Sequence, residues 1–317
     1  MRICRFEDQG RVAVGFYDEG GIVPLAAAAD AFAENSGEKL ALPDGDDLLP
    51  LLPPDGSACD AVSKLAAWVS DQGDGLPKRS PDDVQVLVPI PRPNKIFLLA
   101  GNYAEHIEES GMVASERSET FPYVFMKPPT TTLTDPGRPI VIPAVSPNAI
   151  DWELELGVVM GRLAKGVTEA EALNYVAGYT VVNDISNRRF KPNPERKQRE
   201  RDGFFDWLHG KWFDSFCPCG PCIASADAIP DPQTLTLNLR VNGELMQDST
   251  TGHQIFPVAA VIEFISSFVT LEPGDIISTG TPAGVGSARN LFLKPGDRME
   301  ASISSIGTVV SPVAAEG

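Results

Sequence analysis

Apolar and polar positions alternate over residues 2–6 and again over 11–17, with a glycine between the two runs, a pattern that predicts a β-hairpin. An alanine-rich stretch around 25–33 and a second apolar-periodic stretch over 61–69 predict two helices. Glycine, proline and aspartate then break the periodicity between Asp71 and Pro93. That break predicts a linker near 71–85, a small N-terminal α/β domain over 1–75 and a main domain over 76–317. Beyond it, short runs rich in Val, Ile and Thr recur at 96–100, 123–126, 140–142, 154–160, 179–182, 235–241, 276–279 and 298–303. Helical patterns are fewer, at 104–109, 168–174 and 258–268, the last opened by Pro257. Many short strands, few helices and no regular strand-helix alternation predict a β-rich α+β fold rather than a doubly wound sheet. The site is then expected at strand ends and loops.

At 317 residues and 43% apolar content the chain can bury a full core. Its net charge of -17 and pI near 4.6 argue against a nucleic-acid partner, which needs a basic face, and against anionic lipid. No apolar run has signal-peptide length at the N-terminus or is long enough to cross a bilayer, so a soluble cytoplasmic protein with no membrane partner is expected. Five cysteines, an odd number, point to reduced thiols.

The first chemical signal is Asp151-Trp152-Glu153-Leu154-Glu155-Leu156-Gly157. Side chains alternate faces on a strand, so Glu153 and Glu155 point the same way, and two like charges on a mostly buried face require a cation between them. Asp184, at the end of another apolar strand, is the best third ligand. Three carboxylates without a nearby His or Cys suit a hard cation, Mg²⁺ first, then Mn²⁺ or Ca²⁺, and disfavour zinc. A solvated outer face is the competing reading, although Trp152, Leu156 and 158–160 leave little polar surface to wet it.

A second group follows the 96–100 strand, where His106 and Glu109 stand three residues apart on a predicted helix and can touch. A carboxylate beside an imidazole prepares a general base; an ordinary surface helix face fits the same spacing. Lys211 lies among aromatics in Gly210-Lys211-Trp212-Phe213-Asp214, where a substrate carboxylate or enolate would stabilise its charge, unless Asp214 simply pairs with it. Arg188, Arg189, Lys191, Arg196, Lys197, Arg199 and Arg201 form a basic island in a segment broken by Pro192, Pro194 and Gly203, either a solvated loop or a lid that draws an anionic ligand. The Cys217-Pro218-Cys219-Gly220-Pro221-Cys222 run lacks a second pair to close a zinc site. The glycine-rich run 280–286 lacks the P-loop Lys-Ser/Thr and reads as a turn whose N–H groups and Thr281 line a site.

In order along the chain, Gly-Asn-Tyr-Ala-x-His-x-x-Glu at 101–109, Met-Lys-Pro at 126–128, Glu-x-Glu at 153–155, Asn-Asp at 183–184, Gly-Lys-x-Phe-Asp at 210–214, Val-Asn-Gly-Glu at 241–244 and the glycine-rich segment 274–286 resemble the fumarylacetoacetate hydrolase family over most of 95–310. The resemblance implies a rolled mixed β-sandwich working as a homodimer, with the first 70 residues akin to a small variable domain. It implies Mg²⁺ or Mn²⁺ on Glu153, Glu155 and Asp184, a water-activating dyad of His106 and Glu109, and substrate contacts from Lys211, Thr281 and Gln247. Tyr103 and Arg188 join them as expected substrate-binding residues. Members act on 2-oxo acids and 1,3-diketones through a shared enolate chemistry, so a small anionic 2-oxo acid is the expected partner. Hydrolysis of a carbon-carbon bond in an acylpyruvate-like 2,4-dioxo acid is the leading expectation; decarboxylation, hydration or isomerisation on the same scaffold is its rival, and a silent Ca²⁺-binding module is a third. Asn187-Arg188-Arg189 stands where many relatives carry Ala-Arg-Asp, which favours a more anionic substrate.

Overall fold

The computed structural model describes residues 1–109 and 111–317. A large mixed sheet forms its centre, in the order Gly21–Pro24, Arg11–Asp18, Arg2–Asp8, Cys217–Ser225, Val176–Asn183, Leu154–Met160, Ile276–Ser278, Ile96–Ala100, Tyr123–Met126. Most neighbours are antiparallel, but Ile276–Ser278 runs parallel to Ile96–Ala100. A second sheet of five strands runs Glu244–Thr250, Thr236–Val241, Arg298–Ile303, Gly307–Ala315, Ile140–Ile142. Helices are few, so the molecule is the β-rich, mixed-sheet α+β fold expected, and no barrel closes.

Alternation along the strands explains the layering. Ile96 and Leu98 face a core shared with Phe32, Val62 and Leu65 of the helices Leu25–Ser36 and Cys59–Gln72. Phe97 and Leu99 face the opposite core, where Leu154, Leu156 and Val158 meet Leu237, Leu239, Met299 and Ala301 of the five-stranded sheet. Central strands therefore bury both faces, which is why Leu154–Met160 reads as an unbroken apolar run around Glu155. Each Leu, Ile or Val so buried contributes about 1.5–3 kcal/mol relative to exposure.

The N-terminal hairpin forms as expected, and its Arg2–Asp8 strand pairs with Cys217–Ser225 and Gln85–Leu87, so the first residues extend the central sheet. Two segments for which no strand or helix was predicted are regular. The cysteine run 217–222 is part of a fully buried nine-residue strand, Cys217–Ser225, paired on both sides and supplying small apolar side chains to the core. The basic segment is not wholly irregular, for it ends in the helix Asp202–His209. Asp202 anchors the start of that helix by accepting from Arg199 N at 3.0 Å, Arg199 Nε at 3.0 Å and Arg196 Nε at 2.9 Å. Among the described residues no helix is long and apolar enough to cross a membrane.

Candidate active site

Leu154–Met160 and Val176–Asn183 run antiparallel, with Leu154 opposite Asn183 and Glu155 opposite Val182. The strand ends are clamped where that register stops: Asp184 N donates to Glu153 O at 2.8 Å, and Glu153 N donates to Asn183 Oδ1 at 2.9 Å. Glu153, Glu155 and Asp184 consequently bring one carboxylate oxygen each to within 4.8 Å of one another, all in buried positions.

Basic groups surround them. Lys211 Nζ donates to Glu153 Oε2 at 2.8 Å, Asp184 Oδ2 at 2.5 Å and Ser186 Oγ at 3.0 Å. Arg188 Nη2 lies 2.5 Å from Glu153 Oε1, and its Nε donates to Asp151 Oδ2 at 2.7 Å. Lys127 Nζ lies 2.6 Å from Asp184 Oδ1 and donates to Ile185 O at 2.9 Å and Phe216 O at 2.5 Å. Glu155 Oε2 accepts from Ser278 Oγ at 2.6 Å and Gly280 N at 2.9 Å, whereas its Oε1 is buried with no hydrogen-bond partner among the described residues.

The electrostatics divide the carboxylates. Burial alone would raise Glu153, but Arg188 and Lys211 outweigh it and hold the group well below the usual carboxylate range. Burial raises Glu155 well above that range, reinforced by Asp184 and Glu153 and only partly opposed by its bond from Ser278. Burial would also strip Lys211 of its proton, yet Asp184 and Glu153 keep it charged. Two buried carboxylate oxygens without a hydrogen-bond donor among the described residues, Glu155 Oε1 and Asp184 Oδ1, in a cluster of three acids, make the donor set of a hard divalent cation, and all the donors are oxygen. The residues present fit such an ion.

His106 Nδ1 lies 2.7 Å from Glu109 Oε1, and Glu109 Oε2 accepts from Gly284 N at 2.9 Å, so the short helix Ala104–Glu109 presents an imidazole fixed from behind. His106, Glu153, Arg188, Trp207, Lys211 and Thr281 line one cavity of about 60 Å³. The glycine-rich turn contributes backbone as expected. Gly280 has φ +88° and an added Cβ there would stand 2.8 Å from Asn102 Cβ. Asn102 in turn ties the Gly101 turn to both flanks, donating to Phe256 O at 3.0 Å and to Thr279 O at 2.8 Å.

The remaining expected residues fall as follows. Thr281 Oγ1 donates to Leu154 O at 2.9 Å and borders the cavity. Gln247 is buried and its amide is engaged internally, accepting from Leu154 N at 3.0 Å and donating to Thr281 Oγ1 at 2.8 Å and Pro282 O at 2.9 Å. Tyr103 is buried, and burial pushes its phenol up. Lys211 pairs with Glu153 and Asp184 rather than with Asp214, which borders a separate surface cavity with Pro143 and Glu316. Within the basic island Arg188 alone lines the cavity; Arg196 pairs with Asp202 and Asp206, and exposed Arg189 donates to Asn290 Oδ1 at 2.8 Å. Sequence reasoning missed Lys127, Asp151 and Ser278 as parts of the centre. A lysine at zero exposure between two apolar segments was the available signal for the first only once its burial was known. A larger groove of about 670 Å³ lies beside Trp207, but Phe97, Phe121, Phe125, Phe204 and Phe268 give it no acid or base, whereas His106, Glu153, Arg188 and Lys211 converge on the small cavity.

Residues 95–314 match the family model described as fumarylacetoacetate (FAA) hydrolase C-terminal. The chain is 39% identical, over 240 residues covering 75% of it and 72% of the relative, to oxaloacetate tautomerase FAHD2B, mitochondrial, of Bos taurus. Among solved structures it resembles 5-carboxymethyl-2-hydroxymuconate delta-isomerase from Mycobacterium smegmatis, with 28% identity, a TM-score of 0.69 and full coverage of both chains. It also resembles maleylpyruvate hydrolase from Sphingobium sp. SYK-6 in complex with manganese(II) ion and pyruvate, with 27% identity, a TM-score of 0.70 and full coverage of both.

Proposed function

The chain belongs to the fumarylacetoacetate hydrolase family, and on that premise we propose that it is an enzyme interconverting the enol and keto forms of a small 2-oxo acid. The observation that carries this reading is the dyad: His106, backed by Glu109, shares one small cavity with Glu153, Arg188, Lys211 and Thr281. The expectation of carbon-carbon hydrolysis thereby yields first place to its rival, which the tautomerase and isomerase relatives support.

Glu153, Glu155 and Asp184 would hold a divalent cation, Mg²⁺ or Mn²⁺. When bound, that ion supplies Lewis acidity toward the oxygens of a 2-oxo acid. The protein does the proton chemistry. Glu109 holds His106 at Nδ1, and Nε2 would take the proton from carbon 3 of the keto form and hand it to the oxygen on carbon 2 to give the enol, the reverse transfer restoring the keto form. Lys211 and Arg188 form the positive wall that attracts the substrate carboxylate, and Thr281 limits its position. Leu99 and Trp207 wall the same cavity and exclude bulk water, which strengthens each of these interactions. The same dyad can instead deprotonate water, and the likeness to maleylpyruvate hydrolase supports acylpyruvate cleavage as the second reading. The division at residues 75 and 76 stands as part of the proposal, with catalysis carried by 76–317. So does a homodimer, which would cover the exposed aromatic edge at Phe121, Tyr123 and Phe268 beside the terminal strand Tyr123–Met126.

Proton exchange at carbon 3 of oxaloacetate in D₂O, followed by NMR with Mg²⁺ and with EDTA, tests the first reading. A metal-dependent acceleration is expected. If exchange runs no faster than in buffer while an acylpyruvate is cleaved, the hydrolytic reading replaces it.

A further inference from the structure

Resting on the proposed keto-enol chemistry, we infer that the substrate is a 2-oxo acid with an apolar carbon chain, seated in a second chamber beside the small cavity, rather than one ending in a second carboxylate. The chamber measures about 320 Å³, within the range of about 300–1,000 Å³ common to small-molecule sites. It shares Leu99, Ala100 and Gly101 with the cavity that holds His106, Glu153, Arg188 and Lys211. Consecutive residues of the short helix Ala104–Glu109 serve the two spaces, His106 lining the cavity and Ile107 the chamber. Gly101 stands at the junction with φ +65°, and an added Cβ would lie 3.5 Å from the Ile107 side chain, so its lack of a side chain keeps the junction wide. A substrate whose carbon 3 stands at His106 has the rest of its chain directed past Gly101 toward Ile107.

The walls decide what that chain can be. Ile107, Met112, Val113, Phe121, Ile255 and Phe256 form much of the chamber, and among the described residues no Asp, Glu, Lys, Arg or His lines it. Its buried amide, Asn102, is engaged internally: Nδ2 donates to Phe256 O at 3.0 Å and Thr279 O at 2.8 Å, and Oδ1 accepts from Phe256 N at 2.8 Å. A second carboxylate placed there would lose hydration with no cation to replace it. The cations of the adjoining cavity are already matched, Arg188 by Asp151 and Glu153, and Lys211 by Glu153 and Asp184, and they face the carboxylate on carbon 1. Arg189, the cation that favoured a more anionic substrate, lines neither space and donates instead to Asn290. An alkyl chain meets no such penalty, and each methylene it buries strengthens binding by up to about fourfold.

The test compares 2-oxo acids matched in length: 2-oxopentanoate against 2-oxopentanedioate, and 2-oxoheptanoate against 2-oxoheptanedioate. Exchange of the carbon 3 protons in D₂O with Mg²⁺ is followed by NMR on the whole protein, each rate divided by that in buffer. In wild type kcat/KM should rise by up to about fourfold per methylene along the alkyl series. It should exceed that of the dicarboxylate of equal length by about tenfold or more. Ile255→Trp fills the chamber and should flatten the dependence on chain length. Met112→Arg, at an exposed position, brings a cation to the chamber and should shift the ratio toward 2-oxoheptanedioate; it decides the matter if Ile255→Trp does not fold. Ratios of two substrates are the readout because a general loss of structure slows both together. Faster exchange of the dicarboxylates, no dependence on chain length in wild type, or unchanged ratios in the folded variants overturns the inference and leaves the keto-enol reading in place. No exchange of any 2-oxo acid, oxaloacetate included, overturns that reading and the inference with it.

Discussion

Replacing Glu109 by Gln isolates the proton-transfer dyad with little disturbance to the fold. The carboxylate makes two contacts, Oε1 with His106 Nδ1 at 2.7 Å and Oε2 with Gly284 N at 2.9 Å. A glutamine retains an acceptor for Gly284 N, so its remaining amide nitrogen must face Nδ1 as a donor. The imidazole then keeps its proton on Nε2, the nitrogen that has to accept one from substrate. A correctly placed base contributes about 10²–10⁴ in rate, equal to about 3–5 kcal/mol of barrier. The stability cost is smaller, about 1 kcal/mol, because a charge-assisted bond becomes a neutral one in a partly exposed position. In the metal-loaded protein, enol decay followed by ultraviolet absorbance should therefore slow by at least two orders of magnitude. Melting temperature and Mn²⁺ affinity should stay close to wild type. A Glu109→Gln protein within about threefold of wild-type rate would refute the assignment, since no base effect of the expected size would then pass through this pair.

Three further outcomes follow from the geometry. Burial first, then Asp184 and Glu153, raise Glu155 in the folded state above its ordinary value of 4.5, so stability tied to its protonated form is complete below pH 4.5 and is lost as pH rises through the folded value; melting temperatures of the chelated protein should fall across that window, and Mg²⁺ should flatten the curve. Gly284 has φ +103° and an added Cβ would stand 2.1 Å from Met246 O, so Gly284→Ala should lose about 1–3 kcal/mol in urea unfolding and slow catalysis by shifting the N–H that holds Glu109. Asp151 is fully buried and accepts from Trp152 N, Gly286 N, Ser287 N and Arg188 Nε, so Asp151→Asn should cost about 3–5 kcal/mol by breaking a buried pair, measured by the same unfolding experiment.

Much of this arrangement was legible because its signals are local. The strands 96–100, 123–126, 140–142, 154–160 and 298–303 and the helices 104–109 and 258–268 have the boundaries their periodicity predicts. Glu153 and Glu155 lie together because the i, i+2 spacing acts within one strand direction, and His106 meets Glu109 because i, i+3 acts within one helical turn. What escaped notice is set by contacts distant in sequence. Lys127 meets Ile185 and Phe216 only after three strands assemble, and Ser278 meets Glu155 only through the pairing of Ile276–Ser278 with Leu154–Met160. Cys217–Ser225 contains two prolines and a glycine that argue against a strand locally, yet flanking strands on both sides impose one. Lys211 shows the same limit: Asp214 is its neighbour in sequence, while Glu153 and Asp184 are its neighbours in space.

On the proposed function, the charge balance of the centre would let an acidic protein take an anionic substrate. The chain carries -17 overall, which repels a 2-oxo acid at long range. Locally, Asp151, Glu153, Glu155 and Asp184 face Lys127, Arg188 and Lys211, which leaves one negative charge in excess when all four acids are ionised, and burial first, then Asp184 and Glu153, make Glu155 the acid that resists carrying it. A dication changes the local sum from one negative to one positive charge. The carboxylate of a 2-oxo acid then brings the sum to neutral, and the charge that develops on the oxo oxygen returns it to the single negative excess the protein groups carry between themselves. Removing Arg188 or Lys211 would shift every stage of that sequence by one negative charge, so each residue matters to substrate binding and to proton transfer alike, through charge as well as contact.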